Sequence, residues 1–373
     1  MEEIDLYSLI ERSCEVMIDA QAPDGSFPSG SNGPYGHTET PVRNTSHWVI
    51  TMLAAHDWFE RNEFRTAACE ALDYLSSETA RPHGHTFQHR LKSGSDRCNG
   101  LIGQAWTIES LAVAAQHLKR PELADLAAEV FLLHPFDDEF GIWQPVEIDG
   151  SVLAFDRTFN HQLWFAAAGA QLIRFGNKKI QMQIKTFLEG LETLIDVTDQ
   201  GLVGHMVRPD LKIAPLLQRP HQYRGLLRNY VLHYIRPPKH RRELRKRTIG
   251  YHCFNLYALA ILKNTHPDHD VWCSRRIGKL LQHSLTDSYL QNVQDNKYSF
   301  GYNPTGFEVA YAHHEFELSS ETAQRAWVRR QFDRCWNAEN GLLEMNSDDP
   351  TTLAARIYEA TRLPNYSISV SNE

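Results

Sequence analysis

Residues 99–115 read NGLIGQAWTIESLAVAA, and this stretch decides the fold. A Gly-punctuated start leads into a helix that is rich in Ala and Gly and apolar on nearly every side, as expected of a helix packed between neighbours. The signature returns at 43–55 (RNTSHWVITMLAA), 157–172 (RTFNHQLWFAAAGAQL), 250–262 (GYHCFNLYALAIL), 306–316 (GFEVAYAHHEF) and 351–360 (TTLAARIYEA). Each start carries His, Asn, Asp or Arg nearby and follows a more amphipathic helix. The loops between them pair a Gly with an acidic or aromatic residue, as in PDGSF (23–27), DDEFGIW (137–143), DQGLVG (199–204) and ENGLLE (339–344). A spacing of roughly 45–90 residues is too long and irregular for common solenoid repeats. It predicts an all-α ring of six helical hairpins, Ala-rich helices inside, with their N-termini gathered at one mouth.

Working outward, apolar residues at i, i+3 and i+4 predict helices over 4–19, 44–61, 64–77, 100–118, 121–133, 160–175, 177–196, 252–264, 268–285, 305–317, 322–337 and 351–361. The alternating piece 141–155 predicts a β-hairpin on the rim, and the Gly-rich stretch 21–43 a long loop of the kind that usually serves a function. Because the hairpins run from end to end, we expect a single domain over 1–373, with a basic, aromatic insertion at about 207–249. That insertion holds an aromatic helix near 221–235 and the cluster Lys239, His240, Arg241, Arg242, Arg245, Lys246 and Arg247. Such a run is either a solvated connection or, through 236–247, a dock for an anionic membrane surface or an acidic polymer.

The 373 residues are 42% apolar and 23% charged, ordinary for a globular protein, and the net charge of −8 argues against global nucleic-acid binding. Most of the six cysteines, which show no CxxC spacing, read as reduced, buried hydrophobes. The N-terminus is acidic and amphipathic, unlike a secretory signal, and no run of about 18 apolar residues occurs. These features predict a cytoplasmic protein, peripheral to the membrane if the basic segment docks there. The sequence gives no reason to expect a cofactor or a metal: there is no Gly-rich phosphate loop after a strand, and His313-His314, being adjacent on a helix, point apart. Asp-rich terpene-cyclase motifs are absent, and Cys253 beside His252 lacks a second thiol at an equivalent helix start.

Helix starts expose unpaired N–H groups and a positive dipole end, so a ring of them suits hydroxyls and anions. The side chains expected to line that mouth for substrate binding are Arg43, Asn44, His47, Arg97, Asn99, Gln104, Trp106, Arg157, Asn160, Trp164, Tyr251 and Tyr311. Polar forks mixed with aromatic faces match a sugar, whose hydroxyls take hydrogen bonds while its C–H faces lie on rings. Arg43, Arg97 and Arg157 favour an acidic sugar, since guanidinium grips carboxylate bidentately. Asp156, Asp96 and Glu308 are the candidate carboxyl catalysts, and His161 and His252, with His47 and His313, the candidate proton carriers.

Taken together, the hairpin pattern resembles the six-hairpin glycosidase superfamily, the (α/α)6 barrels that include unsaturated uronyl hydrolases, polysaccharide lyases and, in a related barrel, sugar 2-epimerases. The resemblance covers nearly the whole chain and implies fold, substrate class and a site at the mouth. It assigns no single residue, because the paired-Asp pattern of the uronyl hydrolases is not clearly reproduced; Asp96 and Asp156 stand at plausible positions. A glycoside hydrolase of an acidic or modified oligosaccharide is the leading expectation. The alternatives are an epimerase or lyase working by His or Tyr proton abstraction, and a noncatalytic glycan-binding or membrane-surface protein.

Overall fold

A computed structural model of the chain describes residues 2–207, 227–228 and 238–370. In chain order its elements are β1 (Glu2–Asp5), α1 (Leu6–Ala20), α2 (Val42–Phe59), α3 (Asn62–Ser76), α4 (Gly100–Leu118), α5 (Pro121–Leu133) and the short hairpin β2 (Phe136–Asp137) and β3 (Ile142–Trp143). They continue with α6 (Phe159–Gln171), α7 (Lys178–Leu194), α8 (Pro238–Gly250), α9 (His252–Thr265), α10 (Arg275–Ser284), α11 (Asp287–Gln294), α12 (Thr305–Glu315) and α13 (Glu321–Cys335). The last are the hairpin β4 (Trp336–Asn337) and β5 (Leu342–Leu343), α14 (Pro350–Ala355) and β6 (Ser367–Val370).

Six of these segments form a closed inner ring. Helix α2 packs on α4, α4 on α6, α6 on α9, α9 on α12, and α12 on the 3₁₀ segment Arg356–Arg362 that continues α14 and returns to α2. This is the expected (α/α)6 barrel. Inner helices are buried almost all round, as in α4, where Gly100–Ala112 is buried without a break. Outer helices bury one stripe: α7 hides Ile180, Gln183, Ile184, Phe187, Leu188, Leu191 and Leu194. Short connections such as 60–61 and 119–120 join inner helices to the next outer ones, whereas long loops (21–41, 77–99, 134–158) lead from outer helices to inner starts. The inner N-termini and the long loops therefore share one end, the mouth. Gly25, at φ +85, lets the first of these loops lie on α3, since a Cβ there would stand 2.1 Å from the Glu70 carbonyl oxygen.

Several details differ from the sequence reading. The rim carries two hairpins of two-residue strands, and the 141–155 piece contributes β3 and an isolated Val146–Val152 bridge. The expected helix 268–285 is split into a 3₁₀ turn (Asp270–Cys273) and α10, because Ser274 caps α10 by accepting from the Ile277 N–H. Helix 351–361 keeps α geometry only to Ala355. The chain ends pair, β1 antiparallel to β6 with Ile4 opposite Ile368, so Ile4 and Asp5 are strand where a helix over 4–19 is expected. The expected aromatic helix near 221–235 and the side chains of Lys239, His240 and Arg241 lie outside what is described. No helix among the described residues is long and apolar enough to cross a membrane.

Candidate active site

The mouth opens into a cavity of about 230 Å³. Of the residues expected there, Arg43, Asn99, Trp106, Asn160, His161 and Tyr251 line it. They arrive from the starts of α2, α4, α6 and α9, as the helix-start rule anticipates. The long loop 21–41 adds Asn32, Tyr35 and His37, and further wall comes from Arg90, His205, Arg247, Tyr302, Asn303 and Arg356. Among the described lining residues there are four arginines and no carboxylate.

The arginines are held by groups behind the wall. Arg43, 1% exposed, donates from Nη1 to Glu39 Oε2 and Asn32 Oδ1, both at 3.3 Å, and its guanidinium lies 4.0 Å over the Trp106 ring. Arg356 donates to Glu359 Oε1 (2.8 Å from Nε), Glu308 Oε1 (3.0 Å) and the Tyr302 carbonyl (2.9 Å). Arg90 is paired with Asp96 at 3.2 Å. Arg247 has no carboxylate partner among the described residues; its Nε donates to the Tyr298 hydroxyl at 3.2 Å. Beside it the hydroxyls of Tyr35 and Tyr251 meet at 2.9 Å, Tyr251 reaches Tyr302 at 3.4 Å, and Tyr302 donates to Asn32 Oδ1 at 3.1 Å. Burial pushes the Tyr35 and Tyr251 phenols above their usual range, so they remain neutral.

Asp156 and His161 form the chemically distinctive pair. His161 Nδ1 lies 2.7 Å from Asp156 Oδ2, which leaves Nε2 for the cavity. Asp156 Oδ1 accepts from the Thr158 N–H at 3.1 Å, and Oδ2 receives the Leu101 N–H at 3.4 Å. Burial alone would raise this carboxyl, but His161 and the two backbone donors outweigh it and hold Asp156 below the usual carboxylate range. The approach is possible because Gly100, at φ +57, has no Cβ: one built there would stand 2.7 Å from Oδ2.

The other expected site residues lie elsewhere. Asp96 accepts from the Gly100 N–H (2.9 Å) and, with Asp156 and Arg157, lines a neighbouring cavity. Arg97 is exposed, and its backbone N–H donates to Glu147. His252 was expected as a base, yet it faces the outer layer: its Nδ1 accepts from the Val203 N–H and its Nε2 reaches the Leu280 carbonyl at 3.1 Å. Burial lowers its pKa to about 3. His313 is likewise buried, 2.9 Å from the Ser284 hydroxyl. Glu308 sits beneath Arg356, not on the wall. His47 stacks on Tyr358 with ring centroids 4.3 Å apart, and Asn44 donates to the Pro28 carbonyl. Gln104 braces the loop before α4 through Phe87 and Cys98, while Trp164 is core, stacked on Phe254. Tyr311 lines a cavity at the opposite end of the barrel.

No family model matches the chain. Archaeal glycosylation protein Q of Haloferax volcanii is 46% identical over 365 residues, which cover 97% of this chain and 98% of that relative. The chain belongs to the archaeal glycosylation protein Q family. Among solved structures, cellobiose 2-epimerase from Bacillus thermoamylovorans superposes with TM-score 0.61 at 10% identity, covering 95% of this chain and 98% of that one. D-mannose isomerase gives 0.62 at 14% identity, over 96% of this chain and 97% of that one. A family 76 glycoside hydrolase (mannosidase) from Bacteroides thetaiotaomicron gives 0.60 at 9%, over 96% and 97%. At these identities the likeness is one of fold, and the fold of this family member is that of the six-hairpin glycosidases.

Proposed function

We propose that the protein is a carbohydrate-active enzyme that binds an anionic sugar in the mouth cavity and moves a proton at one of its ring carbons, with His161 as base. The observation that carries this reading is a wall with four arginines and no carboxylate among its described residues, beside an imidazole oriented by an aspartate whose side chain is 10% exposed. Asp156 stays ionised, accepts from His161 Nδ1–H and stabilises the imidazolium that forms. The unprotonated Nε2 takes a proton alpha to a carbonyl or carboxylate. Arg43, Arg247 and Arg356 attract the acidic substrate and neutralise the resulting enolate. The proton returns from His161 or from another imidazole on the same wall, His37 or His205. The name of the Haloferax relative, a glycosylation protein, fits a glycan substrate.

Hydrolysis is the second reading, favoured by the convergence of Asp96 and Asp156 on the start of α4. It requires one carboxyl to be kept protonated as an acid, and Asp156, held low by His161, is unsuited to that part. Incubation with neutral and uronic-acid oligosaccharides in deuterated water separates the two. Deuterium at a ring carbon, reduced about 10²–10⁴-fold by His161→Ala, is the expected result. New reducing ends without carbon-bound deuterium would replace proton transfer by hydrolysis. The exposed Arg242, Arg245 and Lys246 of α8 support a second contact, with an anionic membrane surface. Replacing all three with Ser should abolish salt-sensitive sedimentation with anionic vesicles; unchanged sedimentation would make α8 a connection only.

A further inference from the structure

The mouth cavity has a neighbour of about 310 Å³, and the two share Arg90, Asn99, Thr158 and His161. His161 therefore stands at a junction, with space on both sides. The outer space is built by the rim loop 144–158, which is fixed by the Val146–Val152 and Thr158–Met206 bridges and by Glu147 accepting from the Arg97 and Cys98 N–H groups. Its wall sets Leu153 and Met206, backed by the buried Phe155, against the polar edge of Asp96 and Arg90.

The junction itself carries unsatisfied buried groups. Asn99 is 2% exposed, lies at φ +58 and makes no cap bond to α4; its Nδ2 has no partner among the described residues. Arg90 Nε on the shared wall and Asn160 Oδ1 on the inner wall are also unpartnered among the described residues. Leaving such groups without a partner costs about 1–3 kcal/mol each, so donors and an acceptor in this arrangement mark a place where hydroxyls or a bridging oxygen bind.

We infer that the outer cavity is a second sugar subsite, so that the substrate is an oligosaccharide or glycoside whose acidic ring occupies the mouth while a neighbouring neutral ring lies outside. The inference rests on the anionic-sugar reading above and adds the length of the substrate. A neutral pyranose suits the outer wall, its C–H face against Leu153 and Met206 and its hydroxyls at Asp96 and Arg90. The linkage between the rings then passes Asn99.

The test uses glucuronic acid and the two disaccharides that carry one glucose on either side of it. Binding is measured by titration calorimetry, so the result is independent of turnover. The wild-type protein is expected to bind one disaccharide at least about tenfold more tightly than the monosaccharide. Ala154→Trp, an exposed position on the outer wall, should remove most of that preference, as should Leu153→Ala if the bulky variant misfolds. Equal affinity for all three sugars, or a preference that survives both substitutions, overturns the subsite. Deuterium exchange is read in parallel. A disaccharide preference without exchange would retain the subsite and reject the proton-transfer reading, whereas exchange on the monosaccharide without any preference would do the reverse.

Discussion

At Gly100 the backbone takes φ +57, and an added methyl would press on Asp156 Oδ2 at 2.7 Å. We therefore expect Gly100→Ala to displace the carboxylate from His161 and to cost more than the usual 0.5–1 kcal/mol (roughly) of a permissive glycine. Turnover should fall at least about tenfold with a fold still intact by circular dichroism. Full activity would show that the pair tolerates a longer contact. At this scale the sequence reveals only part of the site. Arg43, Asn99, Asn160 and His161 are legible because polar residues at the start of an otherwise apolar helix have little else to do. His252 and Glu308 satisfy the same rule and yet sit behind the wall, since a first-turn residue can face the mouth or the outer layer. Sequence spacing does not decide which. Arg356 and Tyr302 escape the rule because one lies beyond the first turn of α14 and the other on a loop.

The 3₁₀ segment Arg356–Arg362 is long for its kind, which seldom exceeds three or four residues. Its geometry eclipses i and i+3, so Arg356, Glu359 and Arg362 form a column. The column is tied to neighbours by Glu308 of α12 and Glu109 of α4, the latter 2.7 Å from Arg362. Those partners are 48 and 253 residues away in sequence, which is why an α-helical period was the natural reading and the tighter turn was not. Burial raises Glu359 against the pull of Arg356, to about 7. Below that pH Glu359 is neutral and Arg356 faces the cavity with more of its charge; above it the added carboxylate offsets that charge. Glu308, Glu109 and Arg362, with Tyr257 and Tyr358, are the other groups around it. Affinity for an anionic sugar should thus fall by at least about tenfold as pH rises through about 7, since one charge within about 12 Å at an effective dielectric near 20 is worth about 1.4 kcal/mol or more. Glu359→Gln should flatten that step. A step that persists in the variant would assign it to another group.

For the molecule as a whole, the inner ring and the mouth follow from one repeated pattern, but the tie between the first and last outer helices does not. It is made by strands of four residues, β1 and β6, too short to leave a period. The tail is nonetheless well anchored. Ile368 is 1% and Tyr366 2% exposed, and the Tyr366 hydroxyl donates to Gln324 at 2.7 Å. Removing residues 364–373 should lower the melting temperature by roughly 5–10 °C, given about 2–4 °C per kcal/mol in larger domains and several kcal/mol for two large buried side chains. An unchanged melting curve would mean that the helices alone hold the ring.

The position of that strand pair has a practical side. Inner helices begin at the mouth and end at the opposite face, and β6 follows the last of them while β1 precedes an outer helix that climbs back toward the mouth. Anything attached at either terminus, whether an affinity handle, a fluorophore or a sensor surface, therefore leaves from the underside. An immobilised protein would present its opening to the solution, which makes end-tethered capture a suitable format for screening glycans in flow.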